Sequence, residues 1–286
     1  MPFNPENTLW YDHWLQLKQN RSALLGLAII GAFVVVAFLA PVLATHDPLV
    51  QNVSLRLSKP FENGYLLGSD DFGRDIFSRI LYGARISLVI GAIAIGISLT
   101  VGTALGLISG FYGGTLDVLI MGLVDVMLAF PYILLAIVIV SILGPSLNNA
   151  MIAIGIVGIP RFARIIRAQV LAEKENDYVM VERSLGTSDL ELMMVSILPN
   201  CMAPIIVQVT LGYAGAILSS AALSFLGLGT QPPTPEWGLM LASAKQFVAS
   251  AWWVVTFPGV AILLSVLGFN LFGDGLRDIL DPRLKD

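Results

Sequence analysis

Residues 86–116 have the sequence ISLVIGAIAIGISLTVGTALGLISGFYGGTL, which contains no Asp, Glu, Lys or Arg. Four other stretches also lack these residues: 22–46, 126–160, 192–235 and 246–273. A helix that crosses a bilayer needs about 20 mostly apolar residues, and it satisfies its backbone hydrogen bonds within itself. Each stretch is long enough for at least one crossing. The sequence therefore predicts an all-α, polytopic membrane protein.

The composition agrees with this prediction and excludes several kinds of site. Apolar residues make up 56% of the chain, charged residues 13%, and the mean hydropathy is +0.80. The single cysteine, Cys201, excludes an intramolecular disulfide and a CxxC motif, and His13 and His46 cannot form an HExxH metal site. No GxxxxGK[ST] phosphate loop occurs. We therefore expect no metal, no cofactor bound by this chain and no nucleic-acid partner, and any driving nucleotide must bind to another chain.

Turn residues between the apolar runs predict six transmembrane helices. Gly144 and Pro145, followed by Ser146, favour a turn that separates the third helix from the fourth. The predicted spans are residues 24–43, 86–108, 116–143, a fourth that ends near Val170, 203–228 and 252–272. Six crossings place both termini on one side of the membrane.

The placement of Lys and Arg predicts that this side is the cytoplasm. With the N-terminus inside, ten of these residues lie in cytoplasmic segments and six lie outside. The predicted segments are a cytoplasmic tail (1–21), a first transmembrane helix (22–43), an extracytoplasmic loop (44–85), a five-helix core (86–273) with a cytoplasmic loop (171–200), and a cytoplasmic tail (274–286).

The second predicted span carries small residues at four-residue spacing. They are Ala94, Ser98, Gly102, Gly106 and Gly110. Small side chains on one face let a neighbouring helix approach closely, which is how membrane helices gain packing contacts. This stripe favours ordinary packing within a bundle over a role in lining a pore.

The long charged loop at 171–200 is predicted to fold as helix, turn and helix. Asn176 or Asp177 can cap a short helix that starts at Tyr178, and Gly186 can end it. Ser188 and Glu191 have the spacing of a capping box for the next helix, which Pro199 is expected to stop before the fifth span. A short surface helix between two turns is typical of a docking element.

This loop resembles one in the permease subunits of bacterial ATP-binding-cassette (ABC) importers. Its pattern there is Glu-Ala-Ala, three residues, Gly, nine residues, Ile, one residue and Leu-Pro. Gly186 and Leu198-Pro199 have this spacing. Met180, Val181 and Glu182 stand in place of Glu-Ala-Ala, and Ser196 stands in place of Ile.

Other segments strengthen the resemblance to the peptide and nickel importer permeases. These segments are residues 66–88, Phe111-Tyr112-Gly113-Gly114, Val124 to Pro131, Asp177-Tyr178-Val179 and Ile197-Leu198-Pro199-Asn200. Residues 231–238, 251–259 and 273–278 resemble most closely the C-type permeases of dipeptide importers. The resemblance runs from about Leu24 to the C-terminus.

The resemblance implies a type I ABC importer permease in the bacterial inner membrane. Its implied partners are a homologous second permease, two ABC ATPase subunits that bind ATP and Mg²⁺, an extracytoplasmic substrate-binding protein and the lipid bilayer. The chain is then not itself an enzyme, and residues 177–199 couple it to the ATPases. Dipeptides are the expected substrate, with nickel chelates, oligopeptides, glutathione or another small solute as alternatives.

Two sets of site residues follow from this resemblance. The expected ATPase-coupling residues are Tyr178, Val181, Glu182, Arg183, Ser184, Leu185, Gly186, Asp189, Leu198 and Pro199. Within this set, Glu182 can face solvent or pair with a basic residue of the ATPase. The expected contacts with the binding protein are Asp70, Asp71, Arg74, Glu236 and Trp237, with residues 69–75 also capping a short surface helix in the outside loop.

Polar residues within the spans are candidates for the translocation path. They are Asp125, Gln208, Tyr213, Ser219, Ser220 and Asn270. An intramembrane carboxylate suggests function, but Asp125 can instead bond to a neighbouring helix, and the other groups can serve interhelical hydrogen bonding. Asp125 is also the proton site that an ion-coupled secondary carrier, the alternative from another class of transporter, would use. Arg161, Arg164 and Arg167 are expected to anchor the cytoplasmic end of the fourth span rather than contact the ATPase, and Trp252 and Trp253 to anchor the membrane interface.

Overall fold

The computed structural model describes residues 15–280, and these form helices joined by turns. The helices are α1 (Arg21–Leu43), α2 (Ile76–Tyr112), α3 (Gly114–Ala129), α4 (Tyr132–Leu143), α5 (Leu147–Glu173), α6 (Asp177–Ser184), α7 (Met202–Phe225), α8 (Trp237–Ala244) and α9 (Trp253–Leu280). Within this part of the chain there is no strand, only an isolated bridge between Ser69 and Asp75. His13, Arg283, Lys285 and the outer parts of both predicted tails lie outside the described residues.

The lengths and hydropathies of the helices confirm a polytopic membrane protein. Five helical segments are long and apolar enough to cross a bilayer: α1, α2, α5, the continuous segment Asp189–Phe225 that contains α7, and α9. Helices α3 and α4 together provide a sixth if the bent pair counts as one span. The predicted turn at 144–146 is confirmed, with the Ser146 side chain accepting from the Asn149 backbone N–H at the start of α5.

The third span is not the straight helix predicted over 116–143. It bends by 96° between α3 and α4. Phe130 is extended, with φ −89° and ψ 139°, because the ring of the following Pro131 disfavours helical geometry at the residue before it. At 12 residues, α4 is about 18 Å long, too short to cross a bilayer by itself.

Two further boundaries differ from the prediction. The short surface helix expected in the outside loop is instead the first turns of α2, which begins at Ile76 and is capped by the Asp75 side chain. Pro199 does not stop the helix before the fifth span. The chain instead continues through a π-helical segment, Leu192–Ile197, and a 3₁₀ segment, Leu198–Cys201, and then enters α7 directly. Pro199 lies in the 3₁₀ segment, whose geometry differs from that of an α-helix.

The bundle has two ends, named here for their residues. The loop end holds residues 44–75 and 226–252, and the α6 end holds residues 113–114 and 174–201 together with the last turn of α9. Helix α9 packs against α1 and α7, while α2 and α5 form the most extensive helix pair.

The stripe of small residues on α2 lies against α5, which confirms its packing role. A Cβ atom added at Gly102 would lie 2.5 Å from the Cβ of Phe162, and one at Gly106 would lie 2.5 Å from the Ala163 carbonyl oxygen. Ser98 donates to the Gly155 carbonyl at 2.7 Å across the same interface. The two backbones therefore approach more closely than larger side chains would allow.

A buried arginine holds the loop end together. Arg79, in the first turns of α2, is 2% exposed and donates through its guanidinium to the carbonyls of Pro48 (2.9 Å), Pro233 (3.2 Å) and Thr234 (3.4 Å). Its Nε lies 3.6 Å from Asp70 Oδ2. One side chain thus joins α2 to both loops of this end.

The α2–α5 interface gives a test with a matched control. Gly106→Ala places a Cβ against backbone atoms of α5, and such overpacking costs about 1–3 kcal/mol of stability. At Gly96, on the same helix, no atom lies within 4 Å of an added Cβ, so Gly96→Ala should not destabilise. We expect Gly106→Ala alone to lower the thermal unfolding midpoint of the purified membrane protein. Equal midpoints for the two variants would contradict the close-packing account.

The role of Arg79 predicts local opening of the loop end. Arg79→Met leaves buried carbonyl groups without a donor, at about 1–3 kcal/mol for each group. We expect faster protease cleavage within residues 44–75 and 226–236, detected by mass spectrometry of the fragments. Arg85→Met, an exposed arginine of the same helix, is the control and should leave the cleavage rate unchanged. The same rate in both variants would mean that Arg79 does not tether these loops.

Candidate functional site

The first candidate site is α6 with its flanking turns. Asn176 precedes the helix in an extended conformation but makes no side-chain cap, and α6 begins at Asp177, one residue before the predicted start. Gly186 ends the segment with φ +88°, a left-handed conformation that favours glycine. Ser188 Oγ then accepts from the Glu191 backbone N–H at 3.3 Å. Both turns needed for a short, well-defined surface helix are therefore present.

The two faces of α6 differ in exposure. Val179 is buried among apolar residues of α2, α5 and the segment that leads to α7, in a cluster that includes Phe111, Val170 and Cys201. The opposite face is apolar but exposed, with Leu185 80% exposed and Met180 and Val181 more than half exposed. A firmly seated helix with an exposed apolar face is suited to contact another protein.

Three polar contacts also hold α6. Tyr178 donates through its hydroxyl to Glu173 Oε2 at 3.0 Å, and Asn200 Nδ2 donates to the Tyr178 oxygen at 3.1 Å. Ser196 donates through its hydroxyl to the Glu182 carboxylate. Burial raises the pKa of the Tyr178 hydroxyl above its ordinary value, so this group is a donor at neutral pH.

The Glu182 contact differs from the sequence-based expectation that this carboxylate faces solvent or pairs with an ATPase. It is hydrogen-bonded within the chain, and its partner is Ser196. These two residues are the ones that stand at the second Ala and the Ile of the importer pattern. Sequence reasoning noted both departures but could not place them in contact, because the intervening turns decide their distance.

An open cavity of about 650 Å³ adjoins this segment at the α6 end. Its walls come from α5, the turn before α7, α7 itself and the end of α9. Polar groups in the wall include Gln169, Glu173, Asn200, Gln208 and Arg277. Glu173 and Asn200 are therefore shared between the cavity wall and the contacts of Tyr178.

The structure brings only one predicted path residue to this cavity, Gln208. Tyr213 instead joins helices, because its ring stacks on Phe269 with centroids 4.2 Å apart and its hydroxyl donates to the Leu88 carbonyl. Ser220 is buried. Ser219 and Asn270 are partly exposed but do not line this cavity.

Asp125 is paired rather than isolated. Its carboxylate accepts from Arg164 Nη2 at 2.6 Å, and both side chains are more than half exposed in the single chain. Asp117 likewise accepts two 2.6 Å bonds from Arg167. The sequence showed the arginine row and both carboxylates, but not that α3 lies beside α5. An intramembrane carboxylate needs a partner, and this rule was the one feature of the sequence that pointed to the ion pairs.

The expected binding-protein contacts are mostly buried. Trp237 is 1% exposed and donates to the Ile80 carbonyl at 3.1 Å, while Glu236, at 2%, accepts from the backbone N–H groups of Gly238 and Leu239. Burial raises the pKa of the Glu236 carboxyl, and the two backbone donors oppose that shift. These residues fix the start of α8 and cannot meet a partner directly in this conformation.

Asp70, Asp71 and Arg74 form a similar internal cluster. Arg74 is 5% exposed and its Nε lies 2.6 Å from Asp70 Oδ2. Burial, and then the neighbouring Asp70 charge, raise the pKa of the Asp71 carboxyl. Exposed groups at this end include the apolar Val50, Phe61 and Trp252, of which the sequence analysis named only Trp252, and charged residues such as Arg56, Lys59 and Glu62. Trp253, the other expected interface anchor, is buried and donates to the Ser69 carbonyl at 3.3 Å.

Comparisons with known proteins agree with this architecture. A solved chain of the MetNI methionine ABC transporter superposes with a TM-score of 0.59, covering 72% of this chain and 98% of that one at 16% identity, which shows a shared fold. The dipeptide transport system permease protein DppC of Haemophilus influenzae is 52% identical over 290 residues, covering 100% of this chain and 98% of that protein. The protein of the same name from Escherichia coli K12 is 49% identical over 279 residues, covering 96% and 93%.

Family-level matches cover both parts of the chain. Residues 8–60 match the N-terminal transmembrane domain of oligopeptide transport permease C. Residues 102–286, which include α6 and the cavity walls, match the family described as binding-protein-dependent transport system inner membrane component. With relatives near 50% identity over almost the whole length, the chain belongs to this family of multi-pass ABC importer permeases of the inner membrane.

Proposed function

We propose that this chain is a permease subunit of an ATP-driven importer of dipeptides. The observation that carries the proposal is α6: its inner face is packed and hydrogen-bonded beside the cavity, and its outer apolar face is exposed. This is the arrangement needed to pass movement from an attached subunit to the membrane helices. The substrate class rests on the relatives named as dipeptide permeases.

The proposal includes the partners that the family implies. A homologous second permease completes the pathway, two ABC ATPase subunits bind ATP and Mg²⁺ and attach at α6, and a substrate-binding protein docks at the loop end. The α6 end is then cytoplasmic, in agreement with the excess of Lys and Arg on that side. The burial of Glu236 and Trp237 supports a docking surface made of the exposed loop residues around them instead.

The proposed mechanism is a shift between two conformations of the assembled permease. ATP binding favours one state of the ATPase pair, and α6 passes that preference to α5, which precedes it in the chain, and to α7, which follows it after residues 185–201. The coupling residues are those expected from the sequence, with Tyr178 and Glu182 acting from the inner side of α6. Gln208 in the cavity wall is the path residue that the geometry supports best.

Transport by the reconstituted complex tests this function. Labelled dipeptide is given to proteoliposomes that hold this chain, its co-purifying partners and the binding protein, with ATP supplied to the ATPase side or withheld. We expect accumulation only with ATP. A Walker-motif variant of the ATPase is the control and should abolish uptake.

Other outcomes separate the alternatives. ATP hydrolysis without dipeptide uptake would replace dipeptides by oligopeptides, glutathione, nickel chelates or another small solute. Uptake driven by a proton gradient alone would overturn the proposal in favour of an ion-coupled carrier. The Asp125–Arg164 ion pair weighs against that carrier, because pairing with a neighbouring helix gives this carboxylate a structural role.

The conformation of Gly186 provides a mutational test of coupling. Its φ of +88° is strained for a β-branched residue, but an added Cβ would meet no atom within 4 Å, so the strain is confined to the backbone. We expect Gly186→Val to lower ATP-dependent uptake severalfold at an unchanged amount of protein in the membrane. Gly186→Asn, which tolerates this conformation, should retain uptake. Equal uptake by both variants would show that the turn does not matter for coupling.

A further inference from the structure

The segment between α6 and α7 is a weak point for transmitting movement. It contains the π-helical residues 192–197 and the 3₁₀ residues 198–201, and both kinds of helix have less favourable hydrogen bonding than an α-helix. A displacement of α6 would be absorbed by bending within residues 192–201 unless other contacts bridge them. The polar contacts of α6 hold this segment at two points, Ser196 and Asn200.

We propose that Tyr178 and Glu182 are positioning residues that tie α6 to this segment and to the end of α5, so that α6, the end of α5 and the segment that leads into α7 move as one unit. Tyr178 reaches Glu173 in α5 and receives the Asn200 amide from the 3₁₀ turn. Glu182 receives the Ser196 hydroxyl from the π-helical turn. Two of the ties therefore end within the weak segment, at Ser196 and at Asn200, which lies two residues before α7.

The same ties lead to the cavity. Glu173 and Asn200 line its wall, so a rotation of α6 that carries Tyr178 along displaces two polar groups of the wall. Asn200 also donates to the Ser196 carbonyl at 2.8 Å, which joins the Tyr178 and Glu182 contacts into one network. This inference rests on the proposed coupling role of α6 and names the residues that perform it.

Cys201 is a built-in probe of the ties. It is the only cysteine of the chain, it is 0% exposed, and it packs in the cluster that seats Val179 of α6. Its alkylation by N-ethylmaleimide therefore requires the junction of α6 and α7 to open. The labelling rate reports on the ties whether or not the complex transports a substrate.

The experiment compares the wild type with Tyr178→Phe, Glu182→Ala and the double variant in the intact complex, with labelling of this chain followed by mass spectrometry. Tyr178→Phe keeps the ring and removes only the hydroxyl. We expect the double variant to be labelled roughly tenfold faster, since the loss of the three hydrogen bonds, at the lower end of their typical net strength, shifts an opening equilibrium by about that factor. Ser141→Ala is the control, because Ser141 lies in α4, away from these contacts, and donates to the Ile137 carbonyl of its own helix.

Dipeptide imported per ATP hydrolysed is the second readout. We expect this ratio to fall severalfold in the double variant while ATP hydrolysis continues, and to stay near the wild-type value in Ser141→Ala. Glu182→Gln keeps an acceptor for Ser196 and should retain the ratio. A loss in Glu182→Gln equal to that in Glu182→Ala would show that the charge matters, as in a pair with the ATPase, and would overturn the role given to Glu182.

The remaining outcomes distinguish this inference from the proposed function. Unchanged Cys201 labelling in the double variant overturns the ties, and faster labelling with an unchanged import ratio overturns their part in coupling. If the wild-type complex imports no dipeptide, the proposed function fails, while the labelling rates still decide whether the ties exist.

Discussion

The close approach of α2 and α5 is the constraint on which the rest of the bundle depends. Lipid offers no hydrophobic drive for helices to associate, so the contact must come from packing of backbone against backbone, which needs small residues on one face. Gly102, Gly106 and Gly110 supply that face. Once α5 is fixed against α2, its last turn places Glu173 beside α6, and its arginines lie opposite the carboxylates of α3. The candidate site is thus built on the most extensive helix pair of the bundle.

At both ends of the bundle, charged and polar side chains join neighbouring elements to one another. At the loop end, Arg79 donates hydrogen bonds to carbonyl groups of two loops. Without Arg79 these carbonyl groups would be buried without donors. At the α6 end, Tyr178 and Glu182 connect the surface helix to its neighbours. The loop-end cluster is almost wholly buried, whereas the contacts at the α6 end are only partly buried. This difference fits a rigid loop end and an α6 end that must move.

The sequence could predict the membrane class, the spans and the loop that carries α6, because hydropathy, turn residues and caps act locally. It could not predict features that depend on which helices are neighbours. The pairing of Asp125 with Arg164 and the burial of Glu236 and Trp237 are of this kind. Arg79 lies within the predicted loop 44–85, and only the structure shows that carbonyls of two loops surround its guanidinium. The bend at Phe130 did have a local signal, Pro131, but the apolar run on both sides masked it.

The contact between Glu182 and Ser196 shows why a motif is better judged by pairs than by single positions. Taken one at a time, each residue departs from the importer pattern and weakens the resemblance. Taken together, they occupy two positions that touch in this fold, where they form a hydrogen bond. A hydrogen bond is directional where apolar packing is not, so this contact also fixes the rotation of α6 about its axis. The two departures from the pattern therefore describe one contact of this chain rather than two separate losses.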